Sequence, residues 1–154
     1  MGKPFYIEKV SSESFEAALN LLERFFREEG FDTPAEQMRV FLADMLASRQ
    51  AAIFLARSEG EGVGVATVTT SLGLEYGRSA ELEDLYVLPR SRGHGIASAL
   101  IESVCNWCNQ QGCCMVQVTV TPQGEATHGL MDFYQQRGFV NTRRVLLERN
   151  LFTV

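Results

Sequence analysis

Nowhere does an apolar run approach the roughly 20 residues that a membrane-spanning helix requires. The opening stretch, Met1 to Val10, lacks the basic-then-apolar pattern and cleavage site of a secretory leader. Both absences predict a cytoplasmic protein that does not engage a membrane. Positive charge is not in excess either: 14 Lys and Arg against 19 Asp and Glu give a formal net charge of -5. That balance argues against nucleic acid as a partner, because tracking phosphates takes a basic face, and it mildly favours a cationic partner. No compositional bias, internal repeat, linker or low-complexity segment marks disorder or a fibre. What is present, 45% hydrophobic and 21% charged residues in a chain of 154, suits one soluble globular domain spanning residues 1–154. A chain of that length buries about two-thirds of its unfolded surface.

Cysteine is scarce and local. Cys105, Cys108, Cys113 and Cys114 fall within ten residues, and C-x2-C followed by a second thiol pair invites a zinc reading. Cys105 and Cys108, however, lie in a helical pattern, while Cys113 and Cys114 are adjacent at the start of a strand, where neighbours point to opposite faces. The expectation is therefore structural thiols in a reducing compartment, and no metal.

Periodicity orders the rest. Phe5 to Val10 reads as a strand, and Ser12 as the cap of a helix carrying Phe15, Leu19, Leu22 and Phe26 up to Gly30. Thr33, Pro34 and Glu36 read as a capping box ahead of Met38, Phe41, Leu42, Met45 and Leu46. Ala51 to Arg57 and Val63 to Ser71 form a hairpin across Glu59-Gly60-Glu61-Gly62, and a link at Gly73 to Gly77 leads to a fourth strand, Glu81 to Leu88. A helix with Ile96, Leu100, Val104 and Trp107 stops at Gly112 and hands over to a strand from Cys114 through Val120. A last helix carries Leu130, Phe133 and Tyr134 up to Gly138, and Val140 to Phe152 is expected to close the sheet. The architecture predicted is α/β (α+β): a mixed central sheet of about six strands flanked by four helices. The crossover through the third helix makes its flanking strands parallel and right-handed.

Chemistry concentrates in Glu81-Leu82-Glu83-Asp84-Leu85-Tyr86-Val87-Leu88-Pro89-Arg90-Ser91-Arg92-Gly93-His94-Gly95-Ile96-Ala97. A strand joins a helix there through two glycines, where free amides, the positive end of the helix dipole and small residues suit an anion such as a phosphate. A P-loop would need G-K-S/T, which is absent, and a dinucleotide fingerprint would need Gly or Ala where Ser98 stands. Arg92-Gly93-His94-Gly95-Ile96-Ala97 instead matches R/Q-x-x-G-x-G/A, and Leu130-Met131-Asp132-Phe133-Tyr134-Gln135-Gln136-Arg137-Gly138-Phe139 is similar to A-x-x-F/L-Y-x-x-x-G-F. Together these blocks resemble the GNAT superfamily of N-acetyltransferases, with Leu130 in place of the usual alanine and Thr127 in place of a frequent asparagine.

The resemblance implies acetyl-CoA as co-substrate. Arg92, Gly93, His94, Gly95, Ile96 and Ala97 would hold its pyrophosphate, and the backbone of Leu85, Tyr86 and Val87 its pantetheine arm. It implies a small-molecule amine as acceptor, with aminoglycosides and polyamines among the family's range. An aliphatic amine is mostly protonated at neutral pH and attacks only when neutral, so a base or a water relay is needed. Glu81 and Glu83 share a face of their strand by alternation, and Glu81 falls where several relatives carry a catalytic glutamate. Tyr134 matches the family's proton donor to the leaving thiolate, while His94 and His128 read as a loop residue and a helix-start residue. Phe25, Phe26 and Phe31 with Glu28, Glu29 and Asp32 suggest an aromatic and negative wall. Two other readings stand beside a small-molecule enzyme: a non-catalytic acyl-CoA sensor and a protein or peptide N-acetyltransferase. A homodimer is left open.

Overall fold

The structure, a computed structural model, describes residues 2–152. Two compact units divide the chain, one running up to Thr119 and the other from Val120 onward.

In the first unit, apolar alternation produces an antiparallel meander of β1 (Tyr6–Lys9), β2 (Ala51–Ser58), β3 (Glu61–Gly73) and β4 (Gly77–Val87). A fifth strand, β5 (Val116–Gln117), joins parallel to β4, giving the sheet order β1-β2-β3-β4-β5. Helices α1 (Phe15–Glu29) and α2 (Ala35–Ala47) connect β1 to β2, and α3 (Ile96–Gln110) makes the expected crossover from β4 to β5. Glu59 and Gly60, at φ 52° and 80°, form the tight turn between β2 and β3 with the backbone twist that two-residue hairpins favour. The β3–β4 hairpin runs further than expected, pairing out to Gly73 and Gly77, so the link between those glycines is its tip.

The sheet is covered on both faces. Gly64 faces α3, since a Cβ there would meet Ile96 and Leu100 at 3.0 and 3.1 Å. Its neighbour Val65 pairs with Tyr86, whose ring stacks on Phe25 of α1. Adjacent strand residues point to opposite faces, so α1 and α3 lie on opposite sides. Leu19, Leu21 and Leu22 of α1 and Leu100, Ile101 and Val104 of α3 are buried, as are Leu55, Val65 and Val68 of the sheet. Cys108 is buried, Cys105 and Cys113 are half-buried and Cys114 is exposed; all four are free thiols. Burial pushes the Cys108 thiol up to about 12, which leaves it unreactive at neutral pH. Among the described residues there is no group of metal-ligating side chains, and no helix is long and apolar enough to cross a membrane.

The second unit holds α4 (Pro122–His128) and α5 (Leu130–Gln135). Helix α5 is the expected last helix. Helix α4 is an addition: Thr121 caps it by accepting a hydrogen bond from the Gly124 amide at 3.0 Å, and Pro122 occupies the first turn.

Among the described residues the sheet therefore has five strands and there are five α-helices, against about six and four. The strand expected over Val140 to Phe152 does not form among the described residues. Asn141 and Thr142 side chains accept from the Arg143 and Arg144 amides, and Arg143 sits at φ 61°. Such local turns compete with an extended ladder. Val145, Leu146, Leu147, Leu151 and Phe152 remain exposed. Two caps also differ: Ser14, not Ser12, precedes α1, and α2 begins at Ala35 after an extended Pro34 with no side-chain cap, so the Thr33 box is not made.

Candidate active site

A β-bulge shapes the chemical face of β4. Thr67 lies opposite Asp84 and Val68 opposite Leu82, which leaves Glu83 as the extra residue. Thr67 and Thr69, two apart on β3, share a face. Thr67 Oγ1 donates to Asp84 Oδ2, and Thr69 Oγ1 donates to Glu83 Oε1 at 2.7 Å. The consecutive residues Glu83 and Asp84 thus emerge on one face, where plain alternation would separate them. Glu81, opposite Thr69, accepts from Thr119 Oγ1 at 3.2 Å and completes a row of carboxylates on the α1 side of the sheet. Burial raises the Glu81 carboxyl above its ordinary range, with the Glu83 charge adding to the rise and the Thr119 hydrogen bond opposing it. Burial also raises Asp84, against the Thr67 hydrogen bond, with Glu83 contributing again.

Further along β4, one strand edge is open. The parallel ladder to β5 covers only Ala80 and Glu81, so among the described residues no strand pairs with that edge from Leu82 to Val87. An extended ligand can lie along Leu85, Tyr86 and Val87 and bond the main chain of Leu85 and Val87 as an added strand would. The main chain of those two residues faces this edge, while that of Tyr86 faces β3. Past Val87 the chain makes one 3-10 turn at Pro89–Ser91 and enters the glycine loop. Gly93 and Gly95 adopt φ 79° and 86°, a region that favours glycine, and Gly95 is the N-cap of the 15-residue α3. Nothing stands within 4 Å of where a Cβ would project from either one. Backbone amides at a helix start, with open space over two glycines, make a cradle that fits the pyrophosphate of a coenzyme. Beside it, Gly2, Lys3, Pro4, Phe5, Gly93 and His94 line a cavity of about 730 Å³.

Sequence reasoning missed the bulge that brings Asp84 to the carboxylate row. Phe25, Phe26 and Phe31, expected to form an aromatic wall, pack on one another, and Phe25 stacks on Tyr86. In the second unit, Tyr134 lies on α5 between Phe133 and Phe139, with ring centres 5.0 and 5.3 Å away. Burial pushes its phenol up to about 12, with the Arg137 charge opposing.

A strand with one free edge that runs into an amide-lined loop is what a long thioester donor requires: a groove for the arm and a cradle for the phosphates. The fold and site thus define an acyltransferase that uses coenzyme A thioesters. Residues 15–139 match the acetyltransferase (GNAT) family, and the chain belongs to it. It is an acetyl-CoA-dependent N-acetyltransferase. An aminoglycoside N(6')-acetyltransferase type 1 of Salmonella typhimurium is 29% identical over 119 residues, spanning 75% of this chain and 77% of that protein. Among solved structures, the aminoglycoside N-acetyltransferase AAC(6')-Iy in complex with CoA superposes with a TM-score of 0.85 at 22% identity over 99% of this chain and 98% of that one. A ribosomal-protein-alanine N-acetyltransferase from Brucella melitensis has a TM-score of 0.75 at 19% identity, over 96% and 99% of the two chains. At such identities the likeness is one of fold.

Asp84 offers a test of the bulge that is independent of activity. A carboxyl whose pKa is raised on folding stabilises the native state below its unfolded pKa, and this contribution is lost as pH rises through the native pKa. Above that window the ionised Asp84 is a burden on stability. Asp84→Asn keeps the shape and an acceptor for Thr67, so its Tm is expected to exceed that of the parent near pH ~8. The difference should shrink as pH falls toward the acid range, where the parent carboxyl takes up its proton more readily in the folded than in the unfolded chain. A Tm difference independent of pH, followed by calorimetry, would contradict the burial of this group.

Proposed function

We propose that the chain acetylates a primary amine of a cationic small molecule of the aminoglycoside or polyamine kind, acting in the cytoplasm as one domain over residues 1–154. The observation that carries this reading is the row of Glu81, Glu83 and Asp84 on one sheet face beside the open edge of β4. Carboxylates so placed favour an approaching ammonium group and supply a proton acceptor for it. In the proposed reaction the acetyl-CoA arm lies along Leu85, Tyr86 and Val87, and the loop from Arg92 to Ala97 takes its pyrophosphate. Glu81, with Glu83 beside it, removes the proton from the amine. A β4 amide faces the carbonyl oxygen as negative charge builds on it, and Tyr134 serves the departing sulfur. The aminoglycoside part of the reading draws on the activity named for the Salmonella relative. A homodimer belongs to the same reading, supported by the large apolar side chains exposed between Val145 and Phe152.

The test is a thiol-release assay with acetyl-CoA over a panel of amines: neamine and other aminoglycosides, polyamines, and peptides with a free N-terminal alanine. Turnover confined to the peptides would replace this reading with protein acetylation, and turnover with none would favour an acyl-CoA sensor. Coenzyme placement is tested separately with Gly95→Val. A branched side chain at φ 86° costs about 1–2 kcal/mol of stability, and its methyl groups enter the space proposed for the pyrophosphate. Calorimetry well below the Tm is expected to show acetyl-CoA affinity reduced by about tenfold or more. Unchanged affinity in the folded variant would remove the loop from the coenzyme site.

A further inference from the structure

Arg92 opens the glycine loop, a position from which an arginine can reach outward for a phosphate. Its guanidinium turns toward the protein instead. Nε donates to the Val87 carbonyl at 2.8 Å, Nη2 stands 3.5 Å from Glu28 Oε2, and the guanidinium carbon lies 5.7 Å from the centre of the Tyr86 ring. The other oxygen of Glu28 accepts from the Tyr86 hydroxyl at 2.6 Å, and the Tyr86 ring stacks on Phe25 at 5.5 Å. One carboxylate on the last turn of α1 thus holds a residue of the pantetheine strand and the first residue of the pyrophosphate loop.

From this geometry we propose that Glu28 is a positioning residue for the coenzyme: through Arg92 and Tyr86 it fixes the glycine loop relative to the end of β4. The proposal rests on the reading of residues 92–97 as the pyrophosphate cradle. Gly93 and Gly95 give that loop more backbone freedom than any other residues would. A planar guanidinium held at two points, on Val87 and on Glu28, removes much of this freedom before the coenzyme arrives. Ordering the loop in advance lowers the cost of binding. The Arg92 and Glu28 side chains are 45% and 43% exposed, so their pairing adds little to folding stability and the effect belongs to ligand affinity. Glu28 lies outside both sequence motifs, and only the fold brings it to Arg92.

The experiment compares acetyl-CoA binding by calorimetry, and the Tm of the free protein, for the full chain, Glu28→Ala, Glu28→Gln, Arg92→Ala and the Glu28→Ala/Arg92→Ala double variant. Glu28→Ala is expected to raise Kd by about tenfold, and Arg92→Ala by a similar factor, with the double variant no worse than about tenfold because both disrupt one link. Glu28→Gln retains an acceptor for the Tyr86 hydroxyl, which guards the fold, and loses the charge facing Arg92; its Kd should also rise while its Tm stays at the parent value. Parent-like affinity in both Glu28 variants would overturn the proposal, as would additive losses of about a hundredfold in the double variant. Gly95→Val measured alongside separates the two failures. If it binds as the parent does, the cradle reading has failed; if it alone is weakened, only the role of Glu28 has.

Discussion

Glu81→Gln is expected to lower kcat/KM by about 10²- to 10⁴-fold, the usual range for loss of a general base, and to remove the acid limb of the pH–rate profile. The amine must lose a proton on the way to the amide, and a carboxylate is a better acceptor as its pKa approaches the working pH. Glu81 is raised by burial and by the neighbouring Glu83 charge, whereas Glu83 is the exposed residue of the bulge and is held by Thr69. In the parent, activity should therefore fall on the acid side at a pH above the ordinary carboxylate range, because the base works only when deprotonated. Glu83→Gln supplies the sign test. It removes one of the causes that raise Glu81, so the acid limb should move to lower pH while kcat at the plateau changes by less than about tenfold. If Glu81→Gln retains the parent rate and profile while Glu83→Gln loses activity, the two roles are exchanged. If neither variant changes the profile, the proton leaves by a water relay or through Asp84.

Residues with local and strict requirements were legible before the structure was known. The loop from Arg92 to Ala97 announces itself because Gly93 and Gly95 must reach φ 79° and 86° at a helix start. The crossover from β4 through α3 to a parallel β5 follows from the element order. Features that depend on pairing were not legible. Asp84 reads as pointing away from Glu81 and Glu83 until the bulge opposite Thr67 and Val68 turns it to their face. Val140 to Phe152 has strand-like composition, yet composition does not specify a partner, and the turn at Asn141 to Arg143 interrupts it. Helix α4 carried its own signal in Thr121 and Pro122, which Gly124 in the first turn obscures. Glu28 meets Tyr86 across 58 positions of sequence, a distance that no periodicity spans.

Tyr134→Phe is the counterpart test at the leaving group, and the expected loss in kcat is about 10- to 100-fold with acetyl-CoA affinity and Tm nearly unchanged. The magnitude follows from the acidity of the phenol. Burial between Phe133 and Phe139 pushes it up to about 12, whereas a thiol of ordinary acidity titrates near 8.5. Complete proton transfer from this phenol to the thiolate would run uphill by about 5 kcal/mol, taking about 1.4 kcal/mol for each pKa unit. The phenol is therefore better suited to donating a hydrogen bond as negative charge builds on sulfur than to giving up its proton. The proton that finally neutralises the thiolate then originates on the attacking nitrogen, by way of the base. Losing one such donor places the effect below that of removing the base. The pH profile separates the two pictures: a stabilising donor leaves the alkaline limb of kcat in place when Tyr134 becomes Phe, whereas a true acid takes that limb with it. A parent-like kcat with a lowered Tm would show instead that the ring serves only to pack α5 against Phe139.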